Sequence, residues 1–159
     1  MKIIFLDIDG VLNSRRYDAQ RTQTDGNIDP ACLTLLASLV KRTGARIVLT
    51  SSWRTHWDPC GNGSDAVGRS LAQIFSENGT PLFSKTPVRH AMSRSLEIAA
   101  WMALRDDIEA FVILDDIRFG WGRLEPFLVR TDYNIGRGLG ASHVDRAAAI
   151  LGEKQADEQ

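Results

Sequence analysis

Residues 3–12, IIFLDIDGVL, combine a short apolar block with two carboxylates. The block itself, residues 3–6, has no polar alternation, which is typical of a strand buried on both faces of a parallel sheet. Asp7 follows at the carboxyl end of this strand, and Asp9 lies two residues further on. The stretch therefore predicts a parallel α/β sheet with acidic side chains at one edge.

Two more apolar blocks, residues 47–49 and 111–114, also end in polar side chains. Those side chains are Thr50, Ser51, Asp115 and Asp116. Segments with apolar residues at helical spacing separate the blocks, so strands and helices alternate along the chain. This order predicts a Rossmann-like three-layer α/β/α sandwich around a central parallel sheet. Such sheets place their sites at the carboxyl ends of the strands.

The remaining elements follow from caps, breakers and spacing. Helices are predicted over residues 29–44, 65–79, 93–105 and 142–151, and short strands over 82–83 and 127–129. The polar stretch 13–28 has no sustained period and is interpreted as a flexible loop or flap. We expect a single domain over residues 1–152 and a frayed, charged tail over 153–159.

Length and composition exclude several classes of protein. A chain of 159 residues with 43% hydrophobic residues needs neither a disulfide framework nor a structural metal. Its formal net charge of -1 gives no bulk basic field for nonspecific nucleic-acid binding, although local basic patches remain open. No apolar run is long enough for a membrane helix, so we expect no membrane partner. Cys32 and Cys60 form no C-x-x-C pair, which favours a reducing, cytoplasmic location.

Four carboxylates are expected at one sheet edge: Asp7, Asp9, Asp115 and Asp116. An Asp that follows a strand is often a helix cap or a turn former. Capping alone poorly explains two apolar strands that both end in paired carboxylates. Because these charges would repel one another, the pattern indicates a neutralising cation. An all-oxygen ligand set favours Mg2+.

Three of these segments resemble motifs of the haloacid dehalogenase (HAD) superfamily of phosphohydrolases. Residues 5–12, FLDIDGVL, resemble its first motif, residues 47–54, IVLTSSWR, its second, and residues 113–116, ILDD, its acidic fourth. The motifs occur in the family's order and span nearly the whole chain. The SSWR ending and the Asp pair make the chain most similar to the compact HAD domains of the Swiss Army Knife RNA repair proteins.

The resemblance implies a HAD-like catalytic domain with phosphatase activity through an aspartyl-phosphate. It makes Asp7 the nucleophile and Asp9 the general acid/base. It also implies that Asp7, Asp115 and the backbone carbonyl of Asp9 hold Mg2+. Whether Asp116 contacts the metal directly is left open.

The resemblance also implies groups that hold the phosphate. Thr50 or Ser51 would donate a hydrogen bond to a phosphate oxygen, and we favour Thr50 because it directly follows the apolar block. The third motif requires a Lys or Arg, for which Lys85, Arg89 and Arg94 are candidates. We favour Arg94, which opens a predicted helix. The substrate-binding candidates are Gly10, Ser51, Lys85 and Arg54.

The two intervals that carry cap domains in this superfamily are short here, with residues 13–28 in the first and 55–86 in the second. We therefore expect a capless enzyme whose open site suits a large substrate, such as a phosphorylated nucleic-acid end, or a nucleotide. A local charge of about +3 from the third-motif candidates supports this expectation. The third-motif candidates would form a basic rim beside the site, and Arg15, Arg16 and Arg54 could extend this basic rim.

Three tryptophans follow the motifs: Trp53, Trp57 and Trp121. They could stack on bases, although packing of the loops onto the sheet is the simpler interpretation for Trp53 and Trp121.

Two other functions remain open. One is a small-metabolite or sugar phosphatase whose site is closed by oligomerisation. The other is a non-catalytic phosphoacceptor module, which would also use a carboxylate cluster and Mg2+. Asp9 argues against the second, because turnover requires an acid/base group and a simple receiver does not.

Overall fold

A computed structural model describes residues 1–20 and 27–153 of the chain. Part of the predicted loop, residues 21–26, and the predicted tail beyond Glu153 lie outside these described residues.

The centre of the fold is a parallel sheet of five strands in the order β3-β2-β1-β4-β5. The strands are β1 Lys2–Leu6, β2 Arg46–Leu49, β3 Leu82–Lys85, β4 Ala110–Asp115 and β5 Leu128–Arg130. In the register of the sheet, Phe5 lies opposite Val48 on one side and Ile113 on the other. The apolar blocks of the sequence are thus the three adjacent central strands, which confirms the predicted parallel α/β architecture.

The helices of the described chain are α1 Arg15–Gln20, α2 Pro30–Thr43, α3 Ala66–Glu77, α4 Arg94–Met102 and α5 Ala141–Leu151. Two 3-10 turns, Ser52–His56 and Gly122–Phe127, lie between them. The caps of α2 are those that the sequence predicts. The side chain of Asp29 accepts a hydrogen bond from the Ala31 N–H, and Gly44 ends the helix at a φ of +69°.

Alternating side chains of β1 face two separate hydrophobic layers. Ile4 and Leu6 pack into a cluster that includes residues of α2, α3 and α5. Ile3 and Phe5 pack instead with Ile98 and Trp101 of α4 and its neighbours. The sheet is therefore covered on both faces, as the predicted three-layer sandwich requires.

The loop predicted over residues 13–28 is more ordered at its start than expected, because it contains α1. The hydroxyl of Ser14 accepts a hydrogen bond from the Tyr17 N–H, and the Tyr17 hydroxyl donates to the carbonyl of Ile28. A helix of six residues is too short to show a hydrophobic period, so the sequence gives little sign of it.

The described residues contain no folded cap. Between β1 and α2 they form only α1, and between β2 and β3 they form a 3-10 turn, a loop and α3. None of the helices in the described ranges is both long and apolar enough to cross a bilayer. The order of the strands reverses between β1 and β4, and ligands of open α/β sheets bind at such a point.

Candidate active site

Asp7 directly follows β1, and hydrogen bonds continue the sheet beyond its strands. The Asp7 N–H donates to the carbonyl of Leu114 at 3.0 Å, and the Thr50 N–H donates to the carbonyl of Leu6 at 2.8 Å. These bonds keep the ends of β1, β2 and β4 in register. The side chains of Asp7, Thr50 and Asp115 therefore lie at one edge of the sheet. All three side chains are buried.

Three carboxylates form a tight cluster at this edge. One oxygen from each of Asp7, Asp115 and Asp116 lies within 4.8 Å of the other two. Burial raises the pKa of Asp7 to about 6, because the attraction of Arg94 only partly offsets desolvation and Asp115 adds repulsion. Burial also raises the pKa values of Asp115 and Asp116. The folded chain thus holds carboxylates together where their ionisation is unfavourable.

Arg94 lies inside this cluster. Its Nη1 is 2.9 Å from Oδ2 of Asp7 and 2.7 Å from Oδ2 of Asp115. With all three carboxylates ionised, this single guanidinium leaves two negative charges uncompensated. A divalent cation would neutralise them, and three carboxylates suit a hard cation such as Mg2+.

The other two candidates for the third-motif cation lie elsewhere. Lys85 Nζ donates to the backbone carbonyls of Arg54, at 3.0 Å, and Trp57. Arg89 is exposed, and its backbone N–H donates to Oε1 of Glu97. The structure therefore brings Arg94 to Asp7 and Asp115, whereas Lys85 bonds to backbone carbonyls of the chain itself.

Thr50 and Ser51 are both buried but differ in their partners. Ser51 Oγ accepts a hydrogen bond from the Trp53 N–H at 3.3 Å and caps the 3-10 turn. Thr50 Oγ1 has no hydrogen-bond partner among the described residues. An unpaired buried hydroxyl is costly, and this one lies at the same sheet edge as the carboxylate cluster. Of the two hydroxyls, that of Thr50 is the one that no described residue bonds.

Asp9 points to partners outside the cluster. Its Oδ1 accepts a hydrogen bond from Asn13 Nδ2 at 2.9 Å, and its Oδ2 accepts one from Trp53 Nε1 at 3.1 Å. The buried Asn13 also accepts the Gly10 N–H at 2.8 Å. Sequence reasoning missed Asn13. Its only signal is that Asn commonly bonds nearby backbone in turns, which does not single out a carboxylate partner.

Gly10 makes room for Asp116. Its φ is +85°, and a Cβ built there would lie 2.2 Å from Asp116 Oδ2. The carbonyl of Gly10 accepts a hydrogen bond from the buried Thr131 Oγ1 at 2.7 Å. Gly10 was predicted as a substrate-binding residue, and the structure shows why its side chain must be absent. Thr131, at the end of β5, has no motif that would have identified it.

Arg54 lies behind the candidate phosphate-binding segment. It is 5% exposed, and its Nη2 lies 2.6 Å from Oε2 of Glu97. Its Nη1 donates to the backbone carbonyls of Thr50 and of Ser51. The substrate-binding role expected for Arg54 does not fit this position, because the guanidinium is buried and its bonds go to the protein. Sequence reasoning missed Glu97. Its neighbours in the sequence predict a helix, but they do not show that the Glu97 side chain is buried.

The expected basic rim is much reduced in the structure. Arg54 and Arg94 are paired with carboxylates, and Lys85 bonds backbone carbonyls. Arg15, Arg16 and Arg89 are exposed. Formal charge in the sequence does not show which cations fold inward.

The tryptophans are mostly buried in the folded chain. Trp57 and Trp121 are both buried, and Trp121 Nε1 donates to the carbonyl of Ile117 at 2.9 Å. Trp53 is half-buried and bonded to Asp9. Packing is therefore the correct interpretation for Trp121, and neither Trp57 nor Trp121 offers a free face for a base.

The model of one protein family, described as the HAD domain in Swiss Army Knife RNA repair proteins, matches residues 3–144. This range contains all three motif segments and the complete carboxylate cluster. Comparisons with curated proteins and with solved structures find no match.

Proposed function

The chain belongs to the HAD domains of Swiss Army Knife RNA repair proteins, a family of the HAD phosphohydrolases, and we propose that it is a Mg2+-dependent phosphatase. The proposed reaction is hydrolysis of a phosphomonoester through an aspartyl-phosphate on Asp7. The observation that carries the proposal is the cluster of three carboxylates around Arg94, with the unpaired hydroxyl of Thr50 at the same sheet edge.

Mg2+ fits the donor set of the cluster. Asp7, Asp115 and Asp116 would hold it, since their oxygens already converge and their pKa values are raised. The backbone carbonyl of Asp9 is a further proposed ligand. When bound, Mg2+ supplies positive charge that draws in the phosphate and stabilises the transition state.

In the proposed first step, a carboxylate oxygen of Asp7 attacks phosphorus while the bond to the leaving oxygen breaks. Asp9 donates a proton to that leaving oxygen. Arg94 holds the Asp7 carboxylate in place and offers N–H donors to the phosphoryl oxygens. The Thr50 hydroxyl donates a hydrogen bond to one of those oxygens.

In the second step, Asp9 takes a proton from a water molecule that attacks the phosphorus. The bond between phosphorus and Asp7 breaks, which releases inorganic phosphate and restores the carboxylate. Asn13 and Trp53 hold the Asp9 carboxylate in one orientation between these proton transfers.

We propose a phosphorylated nucleic-acid end or a nucleotide as the substrate. The family's description refers to RNA repair, and the described residues leave the strand ends without a folded cap. A small-metabolite phosphatase closed by oligomerisation is the alternative enzyme. Asp9 supports turnover over a phosphoacceptor role, because it adds an acid/base group beside the nucleophile.

The test measures release of phosphate from para-nitrophenyl phosphate with and without Mg2+. We expect Asp7→Asn to abolish release, Asp9→Asn to reduce it by at least about a hundredfold, and chelation to stop it. Asp106→Asn, at an exposed carboxylate away from the cluster, is the matched control and should retain wild-type activity. Turnover by Asp7→Asn would remove Asp7 as the nucleophile. A single stoichiometric phosphorylation of the wild type without release would favour the phosphoacceptor module.

A further inference from the structure

The loop that follows the carboxylate cluster carries an exposed aromatic ring. Phe119 is 84% exposed and belongs to neither hydrophobic cluster of the described residues. Burial of its ring would be favourable, yet the fold leaves it in solvent. A large apolar ring that is exposed in the loop after the cluster is available to contact a ligand bound there.

The backbone on both sides of Phe119 is fixed. The Ile117 N–H donates to Asp115 Oδ1 at 2.9 Å, and the Ile117 carbonyl accepts from Trp121 Nε1. The Gly120 carbonyl accepts from Ser95 Oγ at 2.7 Å. These bonds tie the loop to the cluster and to α4, so the exposed position of the ring is built into the loop.

The loop residues around Phe119 combine apolar area with an ion pair. Ile117 and Ile135 are also exposed, and Arg118 lies 3.3 Å from Asp132 across the two loops. We call Ile117, Arg118, Phe119 and Ile135 the rim patch. A flat aromatic ring suits a nucleobase, which can stack on it, while the charge of Arg118 is offset by Asp132.

The rim patch is within reach of the site. Phe119 lies three residues after Asp116, so their Cα atoms are at most about 11 Å apart. A nucleotide whose phosphate is held at the cluster can span this interval.

We propose that Phe119 stacks on an unpaired nucleobase of a phosphorylated nucleic-acid end while the carboxylate cluster holds the terminal phosphate. This inference rests on the proposed function and names the part of the substrate that is recognised. Trp57 and Trp121 are buried and cannot stack on a base, whereas Phe119, which no motif includes, is exposed.

The experiment compares kcat/KM for three phosphate esters. They are a single-stranded oligonucleotide with a terminal phosphate, the same oligonucleotide with an abasic terminal residue, and glycerol phosphate. Oligonucleotides phosphorylated at the 3′ and at the 5′ end, and mononucleotides, are separate arms. The variants are Phe119→Ala, Phe119→Tyr and, as a control, Leu104→Ala, whose side chain is 83% exposed beyond the far end of α4.

We expect Phe119→Ala to lower kcat/KM for the oligonucleotide that carries the terminal base by about tenfold or more. The rates for the abasic oligonucleotide and glycerol phosphate should be unaffected, Phe119→Tyr should retain the wild-type kcat/KM, and Leu104→Ala should match the wild type.

Equal losses on all three esters, or no loss on the oligonucleotide, would overturn the inference. The second result would favour a contact between Phe119 and a protein. If the wild type hydrolyses glycerol phosphate but shows no preference for a base-bearing ester, the inference is wrong while the proposed phosphatase activity is supported. If no ester is hydrolysed, the proposed function fails.

Discussion

The guanidinium of Arg54 lies 2.6 Å from the carboxylate of Glu97, and both side chains are at least 92% buried. Arg54 also donates to the Thr50 and Ser51 carbonyls, and Glu97 lies one turn after Arg94 on α4. The pair therefore ties the segment with the candidate phosphate-binding hydroxyl to the helix with the candidate phosphate-binding cation. Its burial makes it costly to break, so it holds the spacing between the two segments.

We expect Glu97→Gln to lower kcat by about tenfold or more while the fold is retained. The substitution keeps the size of the side chain but leaves the Arg54 charge without its counterion, so both segments can shift. Phosphate release and thermal unfolding of the same preparation measure the two effects. Asp145→Asn removes a partner from the exposed Arg42 ion pair and should change unfolding by at most about 1 kcal/mol and activity not at all.

A second control separates stability from positioning. Phe75→Leu removes volume from the cluster beneath the other face of the sheet and should lower stability without lowering kcat. If Glu97→Gln keeps the wild-type kcat at a temperature where it is folded, the positioning role is wrong.

We expect the metal-free protein to lose stability as the pH rises from about 4 to about 6. The folded-state pKa of Asp7 is about 6 against an ordinary value of 3.8, so in this range the folded chain binds more protons than the unfolded chain. The loss attributable to Asp7 is on the order of 3 kcal/mol, and Asp115 and Asp116 shift in the same direction. Urea unfolding in the presence of a chelator, at several pH values, measures it.

Asp7→Asn isolates this contribution, because other carboxylates titrate in both proteins. Asp65 and Asp132 have lowered pKa values, so the stability they contribute is nearly complete above about pH 4 and is the same in both proteins. The variant should therefore gain stability relative to the wild type as the pH approaches 7. Parallel pH curves for the two proteins would contradict the raised pKa. Added Mg2+ should stabilise the wild type at pH 7 more than the variant.

The strands that form the sheet edge could be predicted because a strand buried on both faces is a continuous apolar run. Residues 3–6, 47–49 and 111–114 all show this pattern and are adjacent in the sheet. The polar side chains that follow them meet for a geometric reason, since parallel strands end at the same edge.

The supporting contacts could not be predicted, since they join residues far apart in the chain. Nothing in the local sequence shows that Glu97 is buried against Arg54, which is 43 residues away. For the same reason, the sequence does not show that Lys85 and Arg54 bond to backbone carbonyls of the chain itself. Phe119 was overlooked because exposure of an aromatic residue is decided by the whole fold.

We expect Thr50→Val to lower activity without lowering stability. Valine has nearly the shape of threonine and removes a buried hydroxyl that has no partner among the described residues. A loss of about tenfold in kcat/KM for phosphate release would indicate a hydrogen bond to the substrate. Thermal unfolding should be unchanged or shifted upward.

Thr43→Val is the contrasting variant. Thr43 Oγ1 donates to the Leu39 carbonyl at 2.8 Å, and its removal should cost about 1 kcal/mol of stability and no activity. If Thr50→Val lowers stability as Thr43→Val does and leaves phosphate release intact, the Thr50 hydroxyl does not contact the substrate.

We expect Gly10→Ala to weaken the apparent affinity for Mg2+ by about tenfold or more. A Cβ at this position would lie 2.2 Å from Asp116 Oδ2, so the Asp116 carboxylate must move out of the cluster. The φ of +85° adds backbone strain of about 1 kcal/mol or more. Dependence of phosphate release and of thermal unfolding on Mg2+ concentration measures the change in two independent ways.

Gly61→Ala supplies the matched control for backbone strain. Gly61 has nearly the same φ, +81°, but a Cβ there would meet no atom within 4 Å. It should show a similar loss of stability with an unchanged Mg2+ dependence, because it strains the backbone and displaces no carboxylate. If the two variants have the same Mg2+ dependence, Asp116 is not a ligand, and the metal would be held by Asp7, Asp115 and backbone oxygen instead.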